Sequence, residues 1–174
     1  NSRDMRMIEH IPELLEAGVS SFKIEGRMKS AYYTAIVTNA YRQAIDAAAA
    51  CEALDPAWVA ETDTVSHRPY STGFYFGDPG QYYPDSMYDS TAEVMAVVQS
   101  CNGEGDAILT QRNKFYKGDS LELVRPGEKP VSFVAQQMFD ADGMEIEDTR
   151  RAMMEIHMKL PCAAPPFSIV RKRK

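Results

Sequence analysis

Long hydrophobic runs are missing from this chain of 174 residues. No stretch approaches the roughly 20 apolar residues that a membrane-spanning helix needs, and the first residues carry no apolar core of a signal peptide. Cysteine is scarce as well: Cys51, Cys101 and Cys162 lie far apart, without a CxxC motif or the even number of a disulfide framework. These absences argue against a membrane protein and a disulfide-rich secreted domain, and they predict reduced thiols and a cytoplasmic location.

Positive charge is also in short supply. The chain has 19 Lys and Arg against 25 Asp and Glu, a formal net charge of −6, which argues against a general nucleic-acid coat. Residues 1–50 are balanced, residues 51–100 have only Arg68 against eight carboxylates, and residues 101–174 have a net charge of +1. Such blocks are typical of separate structural units. The basic tail at residues 171–174 is predicted to be a solvated terminus, with phosphate contact as the alternative.

Helical periodicity is clear in the first third of the chain. Apolar residues between Met7 and Ala17 recur at helical spacing, and Gly18 follows where a helix often ends. Residues 31–50 predict a long helix with Ser30 as its N-cap, and a short helical turn is expected at residues 56–61. The apolar run Val19 to Ile24 between the first two helices predicts a strand. A strand of this kind needs parallel neighbours, which the sequence lacks, so the chain is expected to be a fragment.

The second half of the chain is predicted to be β-structure. Residues 66–89 are rich in Tyr, Gly, Pro and Ser and predict an ordered loop. Short β-prone runs between turn signals follow, and at this spacing they indicate a small barrel. The predicted strands are residues 94–99, 106–111, 120–124, 131–139 and 152–158, with 167–170 at the edge. The fold class is therefore α+β, with a mostly helical part at residues 1–62, a junction at 63–91 and an all-β domain at 92–174.

Three charged residues follow the predicted strand. Glu25, Arg27 and Lys29 alternate beyond its end, where α/β folds commonly place substrate-binding groups. They are candidate catalytic residues that could hold an anionic substrate. An equally good interpretation from the spacing is a structural ion-pair cluster.

His67 is the candidate catalytic histidine, because it lies among hydroxyls and aromatic side chains next to Arg68. No motif of a serine hydrolase or zinc peptidase accompanies it. Arg68, Arg112 and Lys114 are candidate substrate-binding or RNA-binding residues, and no metal site is predicted. Tyr32 and Tyr33, together with the tyrosines and phenylalanines of residues 70–83, suggest base stacking or, alternatively, a loop pinned to an interface.

Several strings together resemble one known family. Asn1-Ser2-Arg3-Asp4, the run from Ser21 to Lys29 (SFKIEGRMK), Ser66-His67-Arg68 and the run from Gln111 to Phe115 (QRNKF) are similar to the C-terminal half of the collagenase-like peptidases, family U32. The similarity extends over nearly the whole chain. It implies a longer parent protein, with an upstream barrel-like catalytic domain whose last helix, strand and helix are residues 1–50. It also implies a C-terminal β-barrel like domain two of elongation factor Tu.

The resemblance also implies an activity for the parent. The family carries a protease label, but its better-understood members look like hydroxylases with an iron–sulfur cluster, and this chain resembles the branch that modifies the wobble uridine of tRNA. The expected partners are tRNA and the missing upstream domain. No cofactor is expected in this chain, because Arg6 stands where family members often have a cysteine, and a guanidinium cannot ligate iron.

Three functions therefore remain open. The chain is expected to position substrate or RNA for a tRNA uridine hydroxylation enzyme, and to be inactive alone. The alternatives are a genuine protease or its substrate-binding module, and a β-barrel that binds a protein partner. The oligomeric state does not follow from the sequence.

Overall fold

Apolar residues at helical spacing pack the first part of the chain around one small core. The computed structural model describes residues 1–83 and 88–174, so the predicted loop at 66–89 lies partly outside the described residues. The chain divides into two units, the helical unit (Asn1–Thr91) and the sheet unit (Ala92–Lys174). Within the described ranges, no helix has the length and apolar character that crossing a bilayer requires.

Among its described residues, the helical unit contains three α-helices, two 3-10 turns and a pair of two-residue strands. The strands β1 (Asp4–Met5) and β2 (Tyr70–Ser71) run parallel, with Asp4 opposite Tyr70. The 3-10 turns cover Ile8–His10 and Thr62–Thr64, and the helices are α1 (Ile11–Glu16), α2 (Ala31–Ala49) and α3 (Pro56–Glu61).

The predicted local signals explain the helix ends. Ser30 caps α2, because its side chain accepts a hydrogen bond from the backbone of Tyr33. Gly18 follows α1 with a φ of +84°, a conformation that glycine adopts without strain. The buried face of α2 packs against the 3-10 turn, α1 and α3 in a core formed by Ile8, Ile11, Ala40, Ala44 and Trp58.

The predicted strand from Val19 to Ile24 is wrong. Residues 19–26 have no regular secondary structure, and Ile24 is 39% exposed. A β-strand needs a hydrogen-bonded neighbour, and the described part of the chain supplies none beside this segment. Phe22 nevertheless packs against the helical core, so the segment lies on this unit without joining a sheet.

The sheet unit is a single antiparallel sheet of seven strands. Its strands are β3 (Ala92–Cys101), β4 (Asp106–Gln111), β5 (Ser120–Val124), β6 (Val131–Val134), β7 (Met138–Phe139), β8 (Glu155–Lys159) and β9 (Ile169–Arg173). The spatial order is β6-β5-β9-β3-β4-β8-β7, and the sheet curls into a half-barrel. The predicted α+β class with a small all-β barrel is confirmed.

The carboxyl-terminal strand differs from its prediction in two ways. Residues 167–170 were expected to close the sheet at its edge, but β9 lies in the centre, between β5 and β3. The tail was expected to be solvated, but Arg171 is fully buried and its Nε donates to Glu122 Oε2 at 2.7 Å. Both differences arise because the residues opposite β9 are far away in the sequence, and local patterns carry no information about them.

The predicted strand at 131–139 is interrupted, and β6 and β7 occupy its two ends. The strand predicted from residue 152 starts at Glu155, because Met153 has a φ of +62° and forms part of a turn. The core of the sheet unit is formed by alternating residues of the long strands and by Phe115, which is fully buried.

Candidate functional site

Asp4 is the centre of a charged cluster in the helical unit. Its Oδ1 lies 3.2 Å from Nη2 of Arg68, and its Oδ2 lies 3.3 Å from Nζ of Lys29. The backbone N–H of Arg68 also donates to Oδ2 at 3.2 Å. The pairing of β1 with β2 places Asp4 beside the residues that follow Ser66. One carboxylate therefore holds two of the predicted site cations, which lie 39 residues apart in the sequence.

Lys29 and Arg68 also contact aromatic and carbonyl groups. The ammonium group of Lys29 donates to the carbonyl of Ser66 at 2.9 Å and lies 4.0 Å from the ring centroid of Tyr88. The guanidinium of Arg68 lies 5.5 Å from the same ring. Such contacts stabilise a desolvated cation. The positions of these two side chains are thus fixed by the protein itself.

A cavity of about 570 Å³ opens beside this cluster. Its wall is largely apolar, and its charged lining residues are Arg3, Asp4, Arg6, Lys23, Glu25 and Lys29. Four cations face two carboxylates, a formal excess of two positive charges. Within residues 1–83 and 88–174, the side chains of Arg3 and Lys23 have no hydrogen-bond or ion-pair partner. The cavity therefore has cationic groups available for an anion.

Glu25 and Arg27 have different surroundings from Lys29. Oε1 of Glu25 accepts a hydrogen bond from the backbone N–H of Arg27 at 2.9 Å, which closes a local turn. The guanidinium of Arg27 is exposed and has no partner among the residues that the structure describes. Glu25 lines the cavity together with Lys29, but Arg27 does not.

His67 lies close to the cluster, and it has no catalytic partner within residues 1–83 and 88–174. Its Nδ1 is 2.8 Å from the carbonyl oxygen of Arg68, so Nδ1 carries the proton of this hydrogen bond. The ring stacks on Tyr70 with centroids 4.2 Å apart. Neither a carboxylate nor a hydroxyl of the described residues is hydrogen-bonded to the imidazole. The arrangement of a nucleophile, a base and an orienting acid is not assembled there.

Arg112 and Lys114 belong to the other unit. They follow β4 in the sheet unit, where Lys114 Nζ pairs with Asp148 Oδ2 at 3.0 Å. This hydrogen bond raises the pKa of the Lys114 ammonium group. Arg112 is exposed, and its Nη1 contacts the sulfur of Met153. The seven predicted site residues are therefore divided, five in the helical unit and two in the sheet unit.

Three tyrosines beside the cavity stay protonated at neutral pH. Burial is the main cause that raises the pKa values of Tyr33, Tyr41 and Tyr70, and the nearby Asp4 carboxylate raises that of Tyr33 further. Tyr70 donates its hydroxyl proton to the carbonyl of Thr62 at 2.7 Å. The hydroxyl of Tyr41 accepts from the backbone N–H of Met7. These tyrosines fix the cavity wall.

The cysteines of this chain do not fit an iron–sulfur cluster. No group of three or more His, Cys, Asp or Glu side chains is placed to hold a metal within the described residues. Cys51 is exposed in the helical unit, while Cys101 and Cys162 belong to the sheet unit. Arg6, at the position that often carries cysteine in the family it resembles, is bound to Asp63 at 3.0 Å and Glu9 at 2.9 Å.

Asp4, Arg3 and Lys23 are site residues that the sequence does not mark as such. In the sequence, Asp4 stands out only as part of a string that resembles a family. A single carboxylate belongs to no periodic pattern from which a role could be predicted. Its role depends on a parallel strand pair between residues 66 positions apart. Arg3 and Lys23 have no local signal either, because the cavity between them forms only in three dimensions.

Family models match the two units separately. The model described as Peptidase family U32 matches residues 1–84, and the model for the U32 C-terminal domain matches residues 90–171. Among solved structures, the C-terminal domain of a Geobacillus thermoleovorans protein described as a U32 peptidase is 27% identical. It covers 46% of this chain and 99% of that one, with a TM-score of 0.44.

Curated relatives add names to this similarity. The chain is 32% identical to tRNA hydroxylation protein P1 of Bacillus subtilis over 99% of its own length and 42% of the relative's. It is 39% identical to tRNA hydroxylation protein P of Escherichia coli over 82% of its own length and 32% of the relative's. The chain therefore spans less than half the length of these relatives.

Proposed function

Because this chain belongs to peptidase family U32 and has relatives named as tRNA hydroxylation proteins, we propose that it positions tRNA for a hydroxylation enzyme. The observation that carries the proposal is the cavity of the helical unit. Arg3 and Lys23 line it and have no partners among the described residues. They lie in the same cavity as Asp4 and Lys29 of the charged cluster. Phosphate groups are the anions that tRNA presents at highest density.

The charged residues in and beside the cavity have different roles in the proposed binding of tRNA. Asp4 holds Lys29 and Arg68 in place and neutralises part of their charge, so these two residues shape the site. Arg3 and Lys23 supply the charge that phosphate groups can neutralise. Contacts of this kind fix the register of an RNA without reading its sequence. Arg112 in the sheet unit is a further candidate for a phosphate contact.

Hydroxylation of a base requires redox chemistry, which an iron–sulfur cluster or another cofactor supplies when bound. The described side chains of this chain do not fit such a cluster, so we assign the chemistry to another part of the enzyme. We expect the chain alone to bind tRNA without modifying it. A measured turnover by the chain alone would contradict this assignment.

The test is a titration of labelled tRNA with the chain at several salt concentrations between about 50 and 200 mM, read by fluorescence anisotropy. Replacing both Arg3 and Lys23 by alanine is expected to weaken binding. It should also reduce the slope of log K against log salt by about 0.7–0.9 for each phosphate group that is no longer neutralised. An unchanged slope would overturn the proposed role of this cavity.

Arg42→Ala is the matched control. Arg42 is an exposed cation of the same unit, but it lies on α2 and pairs with Asp46. Its replacement changes the net charge of the chain without touching the cavity. An equal loss of affinity in this control would mean that binding depends on overall charge alone.

A further inference from the structure

The helical unit exposes three consecutive aromatic side chains. Phe74, Tyr75 and Phe76 are 82%, 62% and 64% exposed. They lie in the aromatic turn, which we define as residues 73–77 and which Thr72 separates from β2. Water-exposed aromatic surface of this extent is unfavourable for a folded chain and is typical of a binding site.

The aromatic turn is anchored at both ends. Gly73 has a φ of +61°, and a Cβ at this position would lie 3.2 Å from the sulfur of Met5 on β1. Its N–H donates to the side chain of Ser71 at 3.3 Å. At the other end, the ring of Phe76 lies 4.5 Å from that of His10. The three rings are thus presented from a backbone that is tied to the rest of the unit.

One of these rings lines a cavity that also holds cations without a partner among the described residues. Tyr75 lines the same cavity as Arg3 and Lys23. Exposed rings beside available cations are the combination that binds single-stranded nucleic acid, because the rings stack on bases while the cations contact the phosphate backbone. A double helix offers phosphates but keeps its bases stacked inside, so it could use only the cations.

We propose that the aromatic turn stacks on unpaired bases of an RNA strand whose phosphates contact Arg3 and Lys23. This inference rests on the proposed function and deepens it, since it assigns the site to unpaired nucleotides of the RNA. Tyr75 belongs to both parts of the site, because it is one of the three rings and also lines the cavity that holds Arg3 and Lys23.

The test compares a labelled ten-nucleotide RNA strand of mixed sequence, without self-complementarity, with a ten-base-pair RNA duplex. Replacing Phe74, Tyr75 and Phe76 together by alanine is expected to weaken binding of the single strand by about tenfold or more. The affinity for the duplex and the salt dependence for either RNA should stay unchanged, because no cation is removed. An unchanged affinity for the single strand, or an equal loss for both RNAs, would overturn the stacking site.

Two further variants sharpen the result. Phe167→Ala is the matched control, because Phe167 is 81% exposed but belongs to the sheet unit. The affinities of this variant for the single strand and for the duplex should stay within about twofold of those of the unmodified chain. Tyr75→Trp should retain single-strand affinity and report stacking by fluorescence quenching, against the one buried native tryptophan, Trp58. Single-strand binding without quenching would place the bases elsewhere.

The outcomes separate this inference from the function on which it rests. If tRNA binding depends on Arg3 and Lys23 but not on the aromatic turn, the stacking site is wrong and the proposed function stands. If the single strand binds through the aromatic turn but tRNA does not bind, the proposed function is wrong. If neither RNA binds, both are wrong.

Discussion

The two units of this chain treat their charges differently. The sheet unit pairs most of its cations with its own carboxylates, including Lys117 with both Glu145 and Glu147. The helical unit leaves Arg3, Lys23 and Arg27 without partners among the described residues. A cation that is paired with a carboxylate of its own fold has little uncompensated charge with which to bind a ligand, whereas an unpaired cation remains available.

The two units also differ in how much of their backbone is hydrogen-bonded in a sheet. The sheet unit places its strands in one ladder, and its longest strand, β3, has a neighbour on each side. The helical unit has only a pair of two-residue strands among its described residues, and residues 19–26 join no ladder. The difference suggests that the sheet unit contributes stability and the helical unit contributes binding. Substitutions in each unit can test this division.

The largest loss of stability is expected from Arg171→Ala in the sheet unit. Arg171 is fully buried in the central strand β9, and it lies opposite Glu122 of β5. Its removal leaves a half-buried carboxylate with one guanidinium partner fewer, and it removes a large buried side chain. We expect the free energy of unfolding to fall by about 4 kcal/mol, as for other broken buried pairs. Urea unfolding of the whole chain measures it.

Lys159→Ala is the control for this prediction. Lys159 pairs with Asp106 on the same sheet, but both side chains are 59% exposed. Exposed pairs contribute little, so the change should be within about 0.5 kcal/mol. Similar losses for the two variants would mean that burial does not distinguish the ion pairs of the sheet unit, and the comparison between units would lose its basis.

A smaller loss is expected from Gly105→Ala, also in the sheet unit. Gly105 has a φ of +91°, and an added Cβ would lie 2.6 Å from the carbonyl oxygen of Leu160. Gly118 has nearly the same φ, +88°, but open space around the missing Cβ. Gly118→Ala should cost about 1 kcal/mol for the backbone conformation alone, and Gly105→Ala about 3 kcal/mol because the steric clash adds to it.

This pair of glycines separates two causes within one unit. Equal costs, measured by urea unfolding, would show that the β4 to β8 side of the half-barrel moves readily to admit a methyl group. The sheet unit would then be less rigid than its continuous ladder implies. A larger cost at Gly105 would support a tightly packed unit whose role is structural.

The features that local patterns encode could be predicted from the sequence. The helix α2 has a regular apolar stripe and a capping serine, and its prediction over residues 31–50 is confirmed within one residue. The strands β4 and β5 are bounded by turn signals and have the predicted limits. These elements are specified by neighbours a few residues away, which a sequence displays directly.

Features that depend on distant residues could not be predicted. The prediction of a strand from Val19 to Ile24 was wrong because apolar residues indicate burial but do not indicate whether a hydrogen-bonding neighbour is present. The central position of β9 depends on pairing with β3 and β5, up to about 80 residues away. In the candidate site, Lys29 and Arg68 were predicted separately, and only the structure brings them to one carboxylate.

Of the three principal substitutions, leaving the controls aside, Asp4→Ala in the helical unit is expected to reduce stability least. Asp4 is only partly exposed, and its removal leaves Lys29 and Arg68 without their shared carboxylate. We expect a loss of about 2 kcal/mol, because hydrogen bonds to charged groups contribute more than neutral ones. Asp46→Ala is the control, since Asp46 is exposed and pairs with Arg42 on α2. Its loss should stay within about 0.5 kcal/mol.

Asp4→Ala also tests the division of roles in the opposite direction. Removing one negative charge from the cavity raises its positive excess, so tRNA should bind more tightly at low salt although the unit is less stable. A gain in affinity together with a loss in stability would show that Asp4 fixes the positions of Lys29 and Arg68 but also neutralises positive charge that would otherwise attract tRNA. Weaker binding would show instead that phosphate contact requires the geometry that Asp4 imposes, and the cluster would then be part of the binding site itself.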